Sequence, residues 1–178
     1  KTLYADLLYV RPPLPVWLRA LELMVLPEHW AILAERWIFY WKLAAYSWLG
    51  AAVLLQPPRR WMLAVFGFVL AAHAYPPAAW HTVDGILFGA LSIWCWTNRT
   101  GNTSAVFSGL FLAAMLLCKQ SFYPMMLVWV VLVGNSWPSA KRRVLLGAAA
   151  AFAVLACFTA YLWCAGLLES FLKLSSGA

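Results

Sequence analysis

A chain of 178 residues that is 65% hydrophobic, only 11% charged and holds twelve tryptophans falls outside the ordinary water-soluble class, in which about a quarter of residues are charged. The net charge of +7 is no nucleic-acid footprint, because it sits in loop clusters such as Arg59–Arg60 and Lys141–Arg142–Arg143 and forms no stripe along a polar face. Such clusters mark the cytoplasmic loops of integral membrane proteins, whose interfaces also concentrate tryptophan.

Residues 1–14 are expected to be extended or looped, because the adjacent prolines Pro12 and Pro13 force the residues before them out of the α region. Pro15 to Leu26, "PVWLRALELMVL", is too short to span and carries Arg19 and Glu22 on one side, so it reads as a helix lying in the interface. A first span covers about residues 34–55, with Glu35, Arg36 and Lys42 near its start and "QPPRR" after its end. Further spans follow at 60–75, closed by "YPPAAW", and at 82–97, ending at the polar turn "NRTGNTS". The run "AVFSGLFLAAMLLCKQSFYPMMLVWVVLVG" would make a helix of about 45 Å, too long for an upright crossing of a hydrocarbon core of about 30 Å. Split at Lys119–Gln120, it becomes two short helices, with Ser121 as cap and Pro124 in the first turn of the second. The last span is 144–167. The expected fold is all-α: a polytopic membrane protein of about six transmembrane or half-spanning helices plus one interfacial helix. Residues 1–29 form an external loop with that helix and 30–178 a single helical domain.

Charge supports the split. With the amino-terminal loop outside, this count delivers Arg59–Arg60, Arg99 and Lys141–Arg143 to one side, as the positive-inside tendency asks. It gathers Asp6, Arg11, His73, His81, Asp84 and Lys119 on the other. The sequons "NRT" and "NTS" then fall inside and are discounted. Cys95, Cys118, Cys157 and Cys164 lie in apolar runs without metal or redox spacing and read as small buried hydrophobes. The chain begins at Lys1, without Met or a leader, and reads as a piece of something longer.

Asp6 is a candidate general base on a loop at a cavity rim, against the plain reading of a solvated loop acid. Lys119 lies between "FLAAMLLC" and "QSFYP", where an ammonium at membrane depth costs a few kcal/mol. It either holds a lipid-linked phosphate or snorkels to the headgroups. Arg11 pairs with Asp6 or meets a phosphate. Asp84 suits the dipole of a helix start. With His81 it offers two metal ligands on one face, which are not a site, and no cofactor is identified. Glu35 and Arg36 read as anchors and as partners for Lys42. Tyr4, Tyr9 and Trp17 suit sugar stacking.

The run "YADLLYVRPPLPVWLRALELMVLP", followed by "ERW" at the head of a span, resembles the first external loop of GT-C superfamily glycosyltransferases. These are polytopic enzymes related to protein mannosyltransferases and to the aminoarabinose transferase of lipid A. Asp6 matches the family's catalytic carboxylate, "RPPLP" its proline pair and Arg36 the arginine that opens the next span. Downstream, "DGILFGALSIWCW" and "SGLFLAAMLLCKQSFYP" resemble the family's short spans, with Lys119 and Gln120 at the positions of its "TKQS" segment. The family's first and later spans have no counterpart here. The resemblance implies sugar transfer from a polyprenyl-phosphate donor at the outer face of a bacterial inner membrane. Asp6 would activate the acceptor, Lys119 and Arg11 would hold the donor phosphate, and Tyr9, His81, Asp84, Gln120 and Arg36 would line the site. The implied partners are the lipid-linked donor and membrane lipids, without nucleic acid. The competing class is a non-enzymatic transporter subunit or scaffold, in which short interrupted helices also occur.

Overall fold

The computed structural model describes residues 12–77, 81–135 and 137–176, and every regular element among them is helical. The proline-bounded amphipathic stretch forms α1, Leu14–Val25, whose amino-terminal cap is Pro13. A 3-10 turn at Glu28–Trp30 leads into α2, Ala31–Leu54. Pro57 and Pro58, which cannot continue a helix, separate it from α3, Arg60–Ala74. Then follow α4, His81–Asn98, and α5, Asn102–Leu116.

The long apolar run is broken at Lys119, where the split is expected. After α5 the chain passes through Lys119 in an extended conformation and a 3-10 turn at Gln120–Phe122 into α6, Met125–Gly134. The cap differs from expectation. Ser121 is inside the 3-10 turn, and Pro124 stands at the cap of α6 without a side-chain bond. Proline serves there because its missing N–H belongs to a turn that has no intrahelical partner.

The segment after α6 forms α7, Trp137–Cys164, with a kink at Ala140. From Ala140 to Cys164 it is long and apolar enough to cross a membrane, alone among the described helices. Arg60–Ala74, Asn102–Leu116 and Gln120–Gly134 are apolar but shorter. The 24-residue α2 has the length but includes Glu35, Arg36 and Lys42. The final helix α8, Leu168–Ser176, follows a tight reversal. There Gly166 adopts φ +67°, Leu167 N–H donates to the Leu162 carbonyl at 2.8 Å and Gly166 N–H to that of Trp163 at 3.0 Å. These paired bonds satisfy carbonyls that the helix end orphans, and glycine takes the left-handed position without a Cβ penalty. Leu162 and Leu167 then pack together under Phe158 and Phe171.

The helices pack in the order α3, α2, α4, α5, α7, with α6 against α7. One core joins Trp96 of α4, Leu112 and Leu116 of α5, Trp129 of α6 and Ala151 of α7, and a second joins Phe39 and Leu43 to Ala71 and Val83. A Cβ on Gly109 of α5 would lie 2.0 Å from the Gly147 carbonyl oxygen of α7. That crossing is backbone on backbone and admits only glycine. Beside it, Ser92 and Ser108 exchange hydroxyl bonds to each other's carbonyls at 2.7 and 2.9 Å, and Trp129 Nε1 donates to Ser108 Oγ at 3.3 Å. The polar groups of this interior thus satisfy one another, as burial requires.

α2 and α4 run in the same direction and pack directly, α3 returns on the far side of α2, and α5 runs opposite to α4. Arg143 donates to the Arg99 carbonyl at 2.6 Å, so the loop after α4 and the start of α7 share one end with Arg59 and Arg60. Of the cysteines, Cys95 and Cys118 are buried as expected, but Cys157 and Cys164 are exposed and free. Both lie on α7, with thiols that face away from its core contacts.

Candidate functional site

At the opposite end, charged side chains from three helices form one chain of contacts. Arg19 of α1 bridges Glu22, at 2.9 Å, and Glu35 of α2. Glu22 in turn meets Lys42 of α2 at 3.0 Å, and Lys42 meets Asp84 of α4 at 2.7 Å. Asp84 is only 6% exposed. A carboxylate so buried is tolerable only with a cation beside it, and Lys42 supplies that cation.

This corrects the expected pairing: Glu35 is held by Arg19, Arg36 is exposed, and the partners of Lys42 are Glu22 and Asp84. Asp84 does occupy the first turn of α4, yet its ion pair outweighs a dipole effect of about 0.3–1 kcal/mol. The signal in the sequence was Lys42 itself, deep in an apolar helix and needing a carboxylate at the same depth.

The network contains two cations and three carboxylates and so has one excess negative charge. Beside it stands Lys119, whose Nζ contacts Thr82 Oγ1 at 3.3 Å. Among the described residues no carboxylate lies within salt-bridge distance of Lys119. The two lysines therefore differ in kind. Lys42 meets two carboxylates, whereas Lys119 meets a hydroxyl and, among the described residues, no carboxylate.

The 3-10 turn that carries Lys119 is seated by Phe122. A Cβ on Gly85 would lie 2.1 Å from the Phe122 ring, so only glycine after Asp84 lets the ring lie flat on α4. Under that ring opens a cavity of about 410 Å³, lined by Tyr46 and Gly50 of α2, Ile86 and Gly89 of α4, Met115 and Phe122. Tyr46 is one helical turn below Lys42, and Ile86 is two residues after Asp84. The cavity thus begins where the ion network ends. Its lining is apolar apart from the Tyr46 hydroxyl, a surface that suits an apolar ligand. Its volume is well over twice the ~150 Å³ that holds a benzene ring.

Asp6, Tyr9 and Arg11, with Tyr4, lie outside the described residues. The described chain starts at the buried Pro12 and Pro13, and Leu14 N–H donates to the Leu117 carbonyl at 3.2 Å. The start of α1 is thereby fixed two residues from Lys119. His81 opens α4 and Gln120 follows Lys119, both partly buried. His73 is exposed at the end of α3. Trp17 packs edge-on against Phe158 and Tyr161 of α7 at 6.3 and 6.2 Å, so its ring serves helix packing. Among the described residues no three of His, Cys, Asp and Glu come together as metal ligands, and His81 and Asp84 gain no third.

Comparison with family models, with curated proteins and with solved structures returned no match.

Proposed function

We propose that this chain is part of a membrane-embedded glycosyltransferase that moves a sugar from a polyprenyl-phosphate donor to an acceptor at the non-cytoplasmic face. The membrane half of the reading is supported by what the helices leave uncovered. Trp41, Phe152 and Trp163 are 72%, 74% and 73% exposed, on one face of α2 and one face of α7. Contiguous apolar surface of this kind suits lipid and not water. In this reading α2 to α7 cross or half-cross the bilayer, and α1 and α8 lie along its outer interface.

One observation carries the donor half: a lysine that meets no carboxylate among the described residues stands beside the turn whose Phe122 roofs an apolar cavity. A ligand that satisfies both has an anionic head and a long apolar tail. A polyprenyl phosphate is such a ligand, and the loop resemblance around Asp6 adds the sugar. In the reaction the acceptor's lone pair forms the new bond to the anomeric carbon while Asp6 takes the acceptor proton. The anomeric C–O bond to phosphate breaks, and its electron pair leaves with the polyprenyl phosphate. Lys119, with Arg11, meets the negative charge that builds there, the kind of term a preorganised cation supplies. Arg19, Glu22, Glu35, Lys42 and Asp84 pair with one another and hold the three helices in place. None of the five is assigned a chemical step.

The test is a titration of the chain in nanodiscs with a polyprenyl-phosphate sugar, with the same polyprenol as a phosphate-free control. Saturable binding of the phosphate compound alone is the expected result, and equal binding of the alcohol refutes the reading. In an active enzyme that contains this chain, Asp6→Asn should cut turnover by about 10²–10⁴-fold at unchanged donor affinity. Near-normal turnover would reduce Asp6 to a loop acid.

A further inference from the structure

The cavity beneath Phe122 is long, and its two ends differ. Its wall on α2 runs from Tyr46 to Leu54 and its wall on α4 from Ile86 to Ile93, about 12 and 10 Å of helix at about 1.5 Å per residue. The two helices run in the same direction, so both walls start at the end near the ion network. There stands the Tyr46 ring, packed against the cluster of Phe39, Leu43, Ala71 and Val83. Long side chains on a helix lean toward its amino terminus, which aims the Tyr46 hydroxyl at the network end and not down the cavity. At the far end Leu54 and Ile93 offer only carbon. Between the ends, the side chains that share the space bring no oxygen or nitrogen either. A phenol is a hydrogen-bond donor, and an acceptor for it inside this cavity has to arrive with the ligand.

We infer that Tyr46 is a specificity-determining residue of this cavity, and that its hydroxyl donates to the oxygen joining a prenyl chain to its phosphate. A chain that fills the carbon-lined space has one polar atom at the point where it leaves, and that atom is this oxygen. The match sets direction as well as fit. The chain lies with its oxygen at Tyr46 and its first units running toward Leu54 and Ile93. A buried donor left without an acceptor costs free energy, so the cavity favours a chain that ends in oxygen over a plain hydrocarbon. In the proposed transfer the bond that breaks is the anomeric C–O bond, and both bonds of the prenyl oxygen stay intact. Tyr46 therefore acts on affinity and not on turnover. The inference rests on the donor half of the proposed function and deepens it, by naming the group that reads the lipid's linkage.

The experiment titrates the full chain in nanodiscs with two lipids, a polyprenyl-phosphate sugar and its phosphonate, in which a methylene replaces the oxygen between prenyl chain and phosphorus. Each carries a single negative charge at neutral pH, so Lys119 meets the same anion in both. The parent should bind the phosphate about fivefold more tightly, the weight of one neutral hydrogen bond. Tyr46→Phe should lose that preference and bind both lipids as the parent binds the phosphonate. Equal affinities in the parent would overturn this inference and leave the donor reading standing. A preference that survives in Tyr46→Phe would overturn Tyr46 as its source. If Tyr46→Phe fails to fold, the parent's choice between the two lipids decides. Binding of neither lipid would overturn the donor reading, and this inference with it.

Discussion

Gly50→Leu separates ligand binding from fold integrity. A Cβ at Gly50 meets nothing within 4 Å, and Gly50 lines the cavity beneath Phe122. A leucine there has space, and its side chain occupies volume that the proposed prenyl tail would use. The helix itself should gain, since glycine inside a helix costs about 0.5–1 kcal/mol relative to a good helix former. The loss in binding is not the full hydrophobic transfer value, because a displaced tail returns to lipid that is as apolar as the cavity. What remains is the steric cost of forcing extra methylenes into a filled space, about 1–3 kcal/mol. Converted at about 1.4 kcal/mol per decade, this is roughly a 5- to 150-fold rise in Kd. The assay titrates long-chain and truncated polyprenyl-phosphate donors against both proteins in nanodiscs and records the unfolding midpoint of each. The variant should be at least as stable as the parent, bind the long donor more weakly and bind a short-tailed donor normally. Unchanged affinity for the long donor would refute the cavity as its tail site, and lower stability would refute the geometry at Gly50.

Lys119→Met should weaken donor binding about ten- to a hundredfold, the value of one charge-assisted bond of about 1.5–3 kcal/mol, and Lys119→Arg should recover part of it. Equal affinities in all three proteins would remove Lys119 from the site. Asp84→Asn should lower stability by roughly 1–3 kcal/mol, less than the 3–5 of a fully buried broken pair, because Lys42 keeps Glu22 at 3.0 Å. Combined with Lys42→Met it should cost less than the two single losses together. Simple additivity in thermal unfolding would show the pair to be uncoupled. Gly166→Ala puts a Cβ on a residue at φ +67° and should cost about 1–2 kcal/mol, seen as a lowered melting midpoint with early proteolysis at α8. An unchanged midpoint would mean that the reversal relaxes at no cost.

The sequence disclosed features whose causes are local. Prolines bounded α1 and separated α2 from α3, and the apolar run of α5 and α6 is interrupted by Lys119 and Gln120. The Lys119–Gln120 split is where the chain does turn. What it hid depends on which helices lie side by side. Lys42 had Glu35 and Arg36 on its own helix as obvious neighbours, but its buried partner is on α4, because α3 returns on the far side of α2. The cavity was hidden for a related reason. Glycine on an apolar helix signals either close approach or empty space, and the chain uses both: Gly109 meets the Gly147 backbone, while Gly50 faces a void. Cys157 and Cys164 misled because an apolar environment on α7 was taken for an interior one.

The ion network also implies an order of assembly. A ribosome delivers its members as Arg19, Glu22, Glu35, Lys42 and Asp84, each following one of opposite sign except Glu35. The running charge of the completed part therefore never departs from zero by more than one unit. On the proposed membrane reading, Lys42 would reach the bilayer with Glu22 already made, and Glu22 could hold it, as it does at 3.0 Å in the finished structure, until α4 brings Asp84. An unaccompanied lysine at helix depth costs about 2.5–3.5 kcal/mol at insertion. On that reading, Glu22 would act as a placeholder during insertion, in a position that it keeps, shared with Asp84, in the finished protein.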